Sequence, residues 1–333
     1  MNKKNTLRAF SVFTGTLIGA GFASGKETEA YFIRNGEISI LSFITSFLIF
    51  FAMACICVKA GEKAGKNNEF YEYIFGKNLA AFLFEAATKA FIFVLFCAMS
   101  AACAQTAGMF GLNKEYARLI FIAVCILSAA FGAEGITKIN SVLVPFLLTA
   151  MLLCAYEALK DCEMPKIIFT DKSLSPAAFS FYNMSTCVPV LIECQKKFGS
   201  KTERNTGLLF SAGFVTLLNM LLAYIITGKN VCEAEFPMLK AMEGGKTEFL
   251  YLAAFGTAIF TTACANACVL YKRKGNKGKD VFYAVLFAIL AFFVSKISFS
   301  VFVEKIYCIF SAMGTVLAAF SLKAVLRCKK QKN

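Results

Sequence analysis

The chain has 333 residues, of which 58% are hydrophobic, and it carries a net charge of +14 with no histidine. Its mean hydropathy of +0.64 and an apolar fraction above the roughly 45–50% of soluble domains exclude a soluble globular protein and predict one embedded in a lipid bilayer. The Lys and Arg residues stand mainly in the short connections between apolar runs, as topology signals do, so the positive charge does not predict a nucleic-acid partner.

Ten apolar segments are long enough to cross a membrane, since a spanning helix needs about 20 apolar residues. The connections between them are short and leave no soluble domain, so residues 1–333 are predicted to form a single polytopic membrane domain. The predicted spans run over residues 9–33, 38–59, 79–108, 115–133, 138–158, 174–195, 205–227, 248–271, 281–298 and 301–325.

The basic residues predict how the chain is oriented in the membrane. A cytoplasmic N-terminus would place 22 Lys and Arg residues of the connections and span ends on the cytoplasmic side and 11 on the other side. Cytoplasmic connections normally carry the excess of basic residues, and an even number of spans puts both ends on one side. Both termini are therefore predicted to be cytoplasmic.

The first predicted span is unusually rich in glycine. Gly15, Gly19, Gly21 and Gly25 lie within eleven residues, and each glycine in a helix interior costs about 1 kcal/mol relative to alanine. An unwound backbone inside a membrane is tolerated only where protein or a water-filled cavity surrounds it, so the glycines predict a broken helix that lines a site. The alternative is that Gly15/Gly19 and Gly21/Gly25 form two small-residue faces for helix packing.

Several charged residues fall within or beside predicted spans. Lys26, Glu27 and Glu29 follow the glycines, and they either gate a site at the break or lie in the outer vestibule and interface. Glu85 and Lys89 stand one turn apart in the third span and are predicted to pair with each other. Such a pair is either functional or consists of side chains that extend to the nearby cytoplasmic surface.

The spans repeat at a nearly fixed distance along the chain. The first five, over about residues 9–158, are followed by five of similar spacing over about residues 174–325, and a five-span unit repeated once must be inverted in the membrane. Span six also contains a helix-breaking residue, Pro189, preceded by the polar residues Asn183, Ser185 and Thr186. Because proline removes a backbone donor and frees a carbonyl about one turn earlier, both repeats are predicted to begin with a broken helix.

The first span and the ten-span pattern together resemble a known family. The segment G15-T-L-I-G-A-G-F-A-S-G-K-E27 is similar to that of the YkvI-like bacterial membrane proteins, an uncharacterised group related to amino acid, polyamine and cation transporters of the LeuT fold. The resemblance implies an all-α membrane protein of two inverted five-helix repeats, with helices 1 and 6 discontinuous. It also implies a location in the bacterial cytoplasmic (inner) membrane.

The same resemblance implies a sodium ion as the coupling ion, and it implies no other cofactor. Sodium-coupled members carry G-x-x-V-G-x-G in the first helix and A-x-x-T-S in the eighth, and this chain matches them with Ile for Val and Thr for Ser. The carbonyls of Gly15, Ile18 and Ala258 and the hydroxyls of Thr261 and Thr262 would then bind the ion. Judged from the residues alone, the two threonines could instead bond back to carbonyls one turn earlier. Proton coupling is the rival scheme, for which Lys138 is the nearest titratable residue, although its position fits a topology signal better.

The substrate is predicted to bind near mid-membrane between the breaks in spans one and six. Gly19, Ala20, Gly21, Phe22, Ala23, Ser24 and Gly25 would form an unwound segment whose peptide N–H and C=O groups face the substrate. Tyr182, Asn183 and Ser185 would set specificity. Half-helix N-termini carry about half a positive charge, so a carboxylate of the substrate is predicted to dock there.

The sequence thus predicts a secondary transporter of a small organic solute, an amino acid or a related compound, with sodium coupling favoured over proton coupling. A membrane-embedded enzyme and a channel are the alternatives. The usual enzymatic constellations are missing, since the chain has no histidine, its three Asp residues all lie in connections, and no nucleotide or metal motif is present. The oligomeric state is left open.

Overall fold

A computed structural model describes residues 2–64, 67–129, 132–169, 174–270 and 277–330 of the chain. Only the backbone is described at residues 67, 68, 132–141, 277–280 and 328–330. The side chain of Lys138 therefore lies outside the described part. The helices are α1 (Lys3–Leu17), α2 (Ala20–Ser24), α3 (Lys26–Phe32), α4 (Ile40–Ala64), α5 (Asn67–Phe75), α6 (Leu79–Met109), α7 (Lys114–Ala129), α8 (Gly132–Ala158), α9 (Ser175–Cys194), α10 (Lys201–Gly228), α11 (Pro237–Ala241), α12 (Glu248–Leu270), α13 (Lys277–Val294), α14 (Phe299–Val301) and α15 (Tyr307–Lys330). A π-helical turn, Phe302–Ile306, joins α14 to α15, and short 3₁₀ turns follow α8 and α9.

Six stretches of the described helices are long and apolar enough to cross a membrane. They are Ile40–Ala64, Leu79–Met109, Val142–Asp161, Lys201–Gly228, Glu248–Leu270 and Phe299–Arg327. The chain is therefore a multi-pass membrane protein. The other four predicted spans coincide with the broken α1 to α3, with α7 and α13, and with α9, which is continuous but is not among these six, and the count of ten spans stays a prediction.

Three short strands in two of the connections form a small sheet that the sequence did not predict. Its strands are β1 (Ile33–Arg34), β2 (Glu37–Ser39) and β3 (Lys166–Ile168). β1 and β2 form an antiparallel hairpin, whose turn contains Asn35 and Gly36 with positive φ, and β2 pairs in parallel with β3. The sheet ties the end of the first span to the connection that precedes α9.

The first span is broken, as predicted, but span six is not. α9 is continuous from Ser175 to Cys194 and carries Pro189 inside it. The predicted interruption is therefore wrong. Proline removes one backbone donor but does not force the chain to unwind, and the polar residues before it bond to their own helix: Asn183 Nδ2 donates to Phe179 O at 3.1 Å and Ser185 Oγ to Phe181 O at 3.1 Å.

The predicted pair in the third span is present and exposed. Lys89 Nζ lies 2.7 Å from Glu85 Oε1, and the two side chains are 60% and 36% exposed. Exposure of this degree favours side chains that reach a surface over a functional buried pair.

The centre of the molecule is assembled around α9. This helix packs against α1 on one side and between α4 and α15 on the others, while α1 also packs against α10 and α12 packs against α6 and α8. The contact between α9 and α15 is close enough to require a glycine, because a Cβ on Gly314 would lie 1.9 Å from the carbonyl oxygen of Phe181.

We expect Gly314→Ala to destabilise the protein by about 1–3 kcal/mol, the usual cost of overpacking. The clash is with backbone, which cannot rotate away, so α15 would have to move off α9. Gly256→Ala is the control, since a Cβ there meets no atom within 4 Å. Thermal unfolding of the two purified variants in the same detergent checks the expectation, and equal melting temperatures would contradict it.

Candidate functional site

The break in the first span consists of two short non-helical points. Ile18, with φ −89° and ψ 91°, and Gly19, with φ −105° and ψ −174°, are extended and separate α1 from α2. Gly25 has φ 77°, the left-handed region that favours glycine, and joins α2 to α3. A Cβ at Gly25 would also lie 2.7 Å from Met238 Cγ and 2.8 Å from Ile226 Cδ1, so both conformation and space demand glycine there.

The segment from Gly19 to Gly25 is not unwound throughout, which corrects the prediction. Residues Ala20–Ser24 form the helical turn of α2, in which Ala23 N donates to Gly19 O at 2.9 Å. Two further carbonyls are also occupied: Ser24 Oγ donates to Gly21 O at 2.7 Å, and Tyr251 Oη donates to Ala23 O at 2.5 Å. The turn forms because these hydrogen bonds satisfy buried backbone groups that would otherwise be left without partners in lipid.

The first turn of α3 contains Glu27, for which the sequence predicts either a gate at the break or a place in the outer vestibule and interface. The side chain is buried, with only 6% of its surface exposed. A Cβ built on Gly21 would lie 2.0 Å from Glu27 Oε1, so the carboxyl group packs directly on the backbone of α2. Glu27 therefore belongs to the break and not to an exposed interface.

Two tyrosines, one on α9 and one on α15, lie beside this carboxyl group. The hydroxyls of Tyr182 and Tyr307 lie near Glu27, both side chains are fully buried, and neither hydroxyl forms a hydrogen bond of normal geometry with a described residue. The two rings lie 5.3 Å apart, and the ring of Phe91 on α6 lies 6.2 Å from Tyr182 and 5.9 Å from Tyr307. Tyr31 on α3 completes the cluster at 5.7 Å from Tyr182.

Three residues on α9 were predicted to set specificity, and of these only Tyr182 has contacts that place it in this cluster. The side chains of Asn183 and Ser185 bond to carbonyls of α9 itself, as described above. Sequence reasoning did not select Glu27, Tyr307 or Phe91 as substrate residues. Glu27 carried a usable signal, because it is an acidic residue immediately beyond a glycine-rich break in an apolar span.

Polar contacts join α3 to the π-helical turn between this cluster and the end of the molecule at which the small sheet lies. Lys26, 5% exposed, places Nζ 2.8 Å from Glu29 Oε2 and 2.8 Å from Glu304 Oε1, which joins α3 to the π-helical turn. Tyr31 Oη donates to Val303 O of the same turn at 2.8 Å. Single π-helical turns inside α-helices are common at functional sites.

A second set of contacts closes the opposite end. Glu203 at the start of α10 accepts hydrogen bonds from Asn2 N at 2.5 Å and from Asn5 Nδ2 at 3.1 Å. Arg204 forms an ion pair with Glu62 of α4, and Thr14 Oγ1 and Ser211 Oγ lie 2.8 Å apart deeper between α1 and α10. These contacts hold α1, α4 and α10 together at the end where α1 begins.

The residues predicted to hold sodium lie on two elements that do approach each other. A Cβ on Gly19 would lie 3.6 Å from Thr262 Oγ1, which brings the break next to α12. Thr261 Oγ1 lies 2.9 Å from Thr257 O and 3.2 Å from Ala258 O, the bonds back to its own helix that the sequence analysis named as the alternative. Gly15 faces α8, where a Cβ would lie 4.0 Å from Val144 Cγ1. Within the described residues, no cluster of three or more His, Cys, Asp or Glu side chains is arranged to hold a metal ion.

Comparison with known proteins adds two relatives in sequence. The chain is 23% identical to the uncharacterized membrane protein YkvI of Bacillus subtilis (strain 168) over 334 residues, which covers 96% of this chain and 94% of the relative. It is 24% identical to the uncharacterized protein YyaD of the same organism over 272 residues, 78% of each chain. No protein-family model matches the chain.

Among solved structures, the chain is similar to Mhp1, a nucleobase-cation-symport-1 family transporter solved in a closed conformation with bromovinylhydantoin bound. The match has a TM-score of 0.43 and 12% sequence identity, and it covers 96% of this chain and 71% of the other. The relationship in sequence is the firmer finding, because it extends over nearly the whole of both chains. This multi-pass membrane protein is a relative of YkvI, which confirms its resemblance to the YkvI-like membrane proteins.

Proposed function

We propose that the protein is a secondary active transporter that carries a small organic solute, an amino acid or a related compound, by alternating access. One observation carries the proposal: the broken first helix is buried in the helix bundle, and the carboxyl group of its Glu27 lies beside the buried side chains of Tyr182 and Tyr307. Membrane proteins place irregular backbone and ionisable groups in the membrane interior where these face protein or a cavity that serves function. A helix that only anchors the chain would need neither.

The proposal includes the LeuT arrangement of ten helices as two inverted repeats, over about residues 9–158 and 174–325. The two sets of closing contacts support alternating access. The Lys26–Glu304 contact joins α3 to the last span at one end, and the Glu203 and Arg204 contacts join α10 to α1 and α4 at the other. Opening either set while the other stays closed would expose the central tyrosines to one side of the membrane. The described arrangement, closed at both ends, corresponds to an occluded state in that cycle.

The proposal also includes a sodium ion held by the carbonyls of Gly15, Ile18 and Ala258 and the hydroxyls of Thr261 and Thr262. The approach of Gly19 to Thr262 supports it, because the two predicted halves of the site are neighbours. The bonds that Thr261 makes to its own helix are compatible with a cation. A hydroxyl that donates its proton to a carbonyl keeps its lone pairs for an ion. Sodium bound there would bridge the first and eighth spans and shift the population toward one conformation.

Uptake into proteoliposomes tests the proposal. The purified protein is reconstituted and supplied with pooled labelled amino acids, with an inward sodium gradient or with choline in its place. We expect uptake above that of protein-free vesicles, greater with the sodium gradient. If a proton gradient drives uptake equally well without sodium, the proposed sodium site is wrong, but the protein is still a transporter.

We expect a reporter fused after Asn333 to be cytoplasmic. The prediction rests on the distribution of the basic residues. Asn2, Glu203 and Arg204 lie at one end of the helix bundle, and the basic N-terminal residues lie at the same end. A pair of fusions checks it, one to a reporter active only in the cytoplasm and one to a reporter active only outside. Activity of the second alone would reverse the topology.

A further inference from the structure

The proposed transporter leaves open which chemical group of the solute the site recognises, and the surroundings of Glu27 bear on this. Glu27 is 6% exposed, and among the described residues no Lys or Arg nitrogen lies within ion-pair distance of its carboxyl group. The neighbouring cation, Lys26, instead pairs with Glu29 and Glu304 at 2.8 Å each. Within the described part of the chain, the carboxyl group that packs on the α2 backbone at the break therefore has no cation paired with it.

Two further groups of the cluster also lack partners. The hydroxyls of Tyr182 and Tyr307 are buried beside Glu27 without a hydrogen bond of normal geometry to a described residue. Buried polar groups in native proteins are nearly always hydrogen-bonded, and those that are not call for an explanation. A buried carboxyl group with no described cation beside it and two buried hydroxyls close to it are explained together by a ligand that brings a hydrogen-bond donor with a positive charge.

The rings around the carboxyl group favour an organic ammonium over a metal ion. Tyr182, Tyr307, Tyr31 and Phe91 lie with their ring centroids 5.3 to 6.2 Å from one another in successive contacts. Aromatic rings attract an ammonium through their π faces, and cages of aromatic side chains are a known way for proteins to bind such groups. A sodium ion instead prefers several oxygen ligands, which the residues proposed on α1 and α12 would offer and the rings do not.

The acidic residues also occupy the position at which a substrate carboxylate was expected. Glu27 and Glu29 lie in the first turn of α3, where negative side chains already complement the helix dipole. A second negative group brought to the same turn would be repelled. The break is therefore better suited to a positive group than to a negative one.

We propose that Glu27 binds the ammonium group of the transported solute, flanked by Tyr182 and Tyr307, so that the solute is an organic amine or an amino acid. This inference rests on the proposed function and deepens it. Binding needs no covalent step. The ammonium would donate hydrogen bonds to the Glu27 carboxylate and to the two hydroxyls, and the rings would cover its alkyl carbon.

The test is uptake from two labelled pools into proteoliposomes that hold the full-length protein. The first pool contains the twenty common amino acids and small primary amines. The second contains amine-free solutes, namely carboxylic acids made by removing the amino group from those amino acids, sugars, uracil, thymine and hydantoins. We expect uptake from the first pool alone, and we expect unlabelled phenethylamine or isopentylamine to compete better than 3-phenylpropionate or 4-methylpentanoate.

Glu27→Gln is the informative variant because it keeps the shape of the side chain and removes the charge. Loss of one partner of a buried charge pair is costly, so we expect uptake to fall about tenfold or more. Glu69→Gln, the same change at an exposed position on α5, is the control and should behave like the unmutated protein. Equilibrium binding of the labelled amine pool to the purified variants in detergent is measured alongside, after gel filtration confirms that each is folded.

The outcomes separate this inference from the proposed function. Uptake from the amine-free pool alone, or a Glu27→Gln variant that still binds amines while losing uptake, would overturn the role of Glu27 in binding the ammonium and leave the transporter standing. No uptake from either pool by the unmutated protein would overturn the proposed function and this inference with it. If the variant does not fold, the selectivity of the unmutated protein between the two pools still decides.

Discussion

Replacing Gly21 with valine is expected to abolish uptake and solute binding while leaving the protein folded. A Cβ at this position would lie 2.0 Å from Glu27 Oε1 and 2.5 Å from its Cδ. The clash is with the far end of a flexible side chain, so Glu27 can rotate away without moving the backbone. The helix can then form, but the carboxyl group no longer lies beside Tyr182 and Tyr307, and the valine methyls fill the space at the break.

The control for this change is Gly256→Val on α12. Its Cβ would meet no atom within 4 Å, so it introduces the same side chain into a helix without touching the site. Binding to the purified proteins and uptake into proteoliposomes are measured for both, with thermal unfolding as the measure of folding. A Gly21→Val protein that is folded and binds solute normally would place the site elsewhere.

The second large effect concerns the coupling ion. Changing Thr261 and Thr262 together to alanine is expected to raise the sodium concentration for half-maximal uptake severalfold or more, because two of the five proposed oxygen ligands are lost. A sodium ion has no charged ligand among these five groups, so each neutral oxygen matters to its affinity. The measurement is uptake at a series of sodium concentrations, with ionic strength held constant by choline.

A neighbouring threonine provides the matched control for the pair. Thr257 lies one turn before Thr261, its side chain is half-buried, and its hydroxyl donates to Ala253 O at 2.8 Å. Thr257→Ala keeps the carbonyl that Thr261 bonds to and should leave sodium dependence unchanged. Uptake by the unmutated protein that ignores sodium and follows a pH gradient would rule the proposed ion site out.

Local sequence patterns predicted the features that depend only on residues close together in the chain. Long apolar runs gave the helices of the six spans, and the closely spaced glycines gave the break, because a backbone conformation such as that of Gly25, with φ 77°, is favoured at glycine. The Glu85–Lys89 pair followed from helical spacing alone. Each of these is decided within one or two turns of the chain.

The features that were wrong or missed depend on what the rest of the molecule supplies. The residues around Pro189 were expected to unwind, but the polar side chains of α9 bond to its own carbonyls and the helix continues. The turn over Ala20–Ser24 is fixed in part by Tyr251, more than 200 residues away. Glu27 meets Tyr182 and Tyr307 only through the packing of α3 against α9 and of α9 against α15, which no single segment encodes.

Counterflow tests the central claim, alternating access at the broken helix, most directly. Proteoliposomes are preloaded with a high concentration of an unlabelled solute that the uptake assay has identified, and a trace of the labelled solute is added outside with no ion gradient. A transporter that alternates between two faces of the membrane exchanges solute faster than its empty form reorients. We therefore predict that preloading causes a transient accumulation of label inside the vesicles. We also predict that Gly21→Val abolishes this accumulation. Label that enters only down its own gradient, at a rate that preloading does not change, would show a channel and contradict the account.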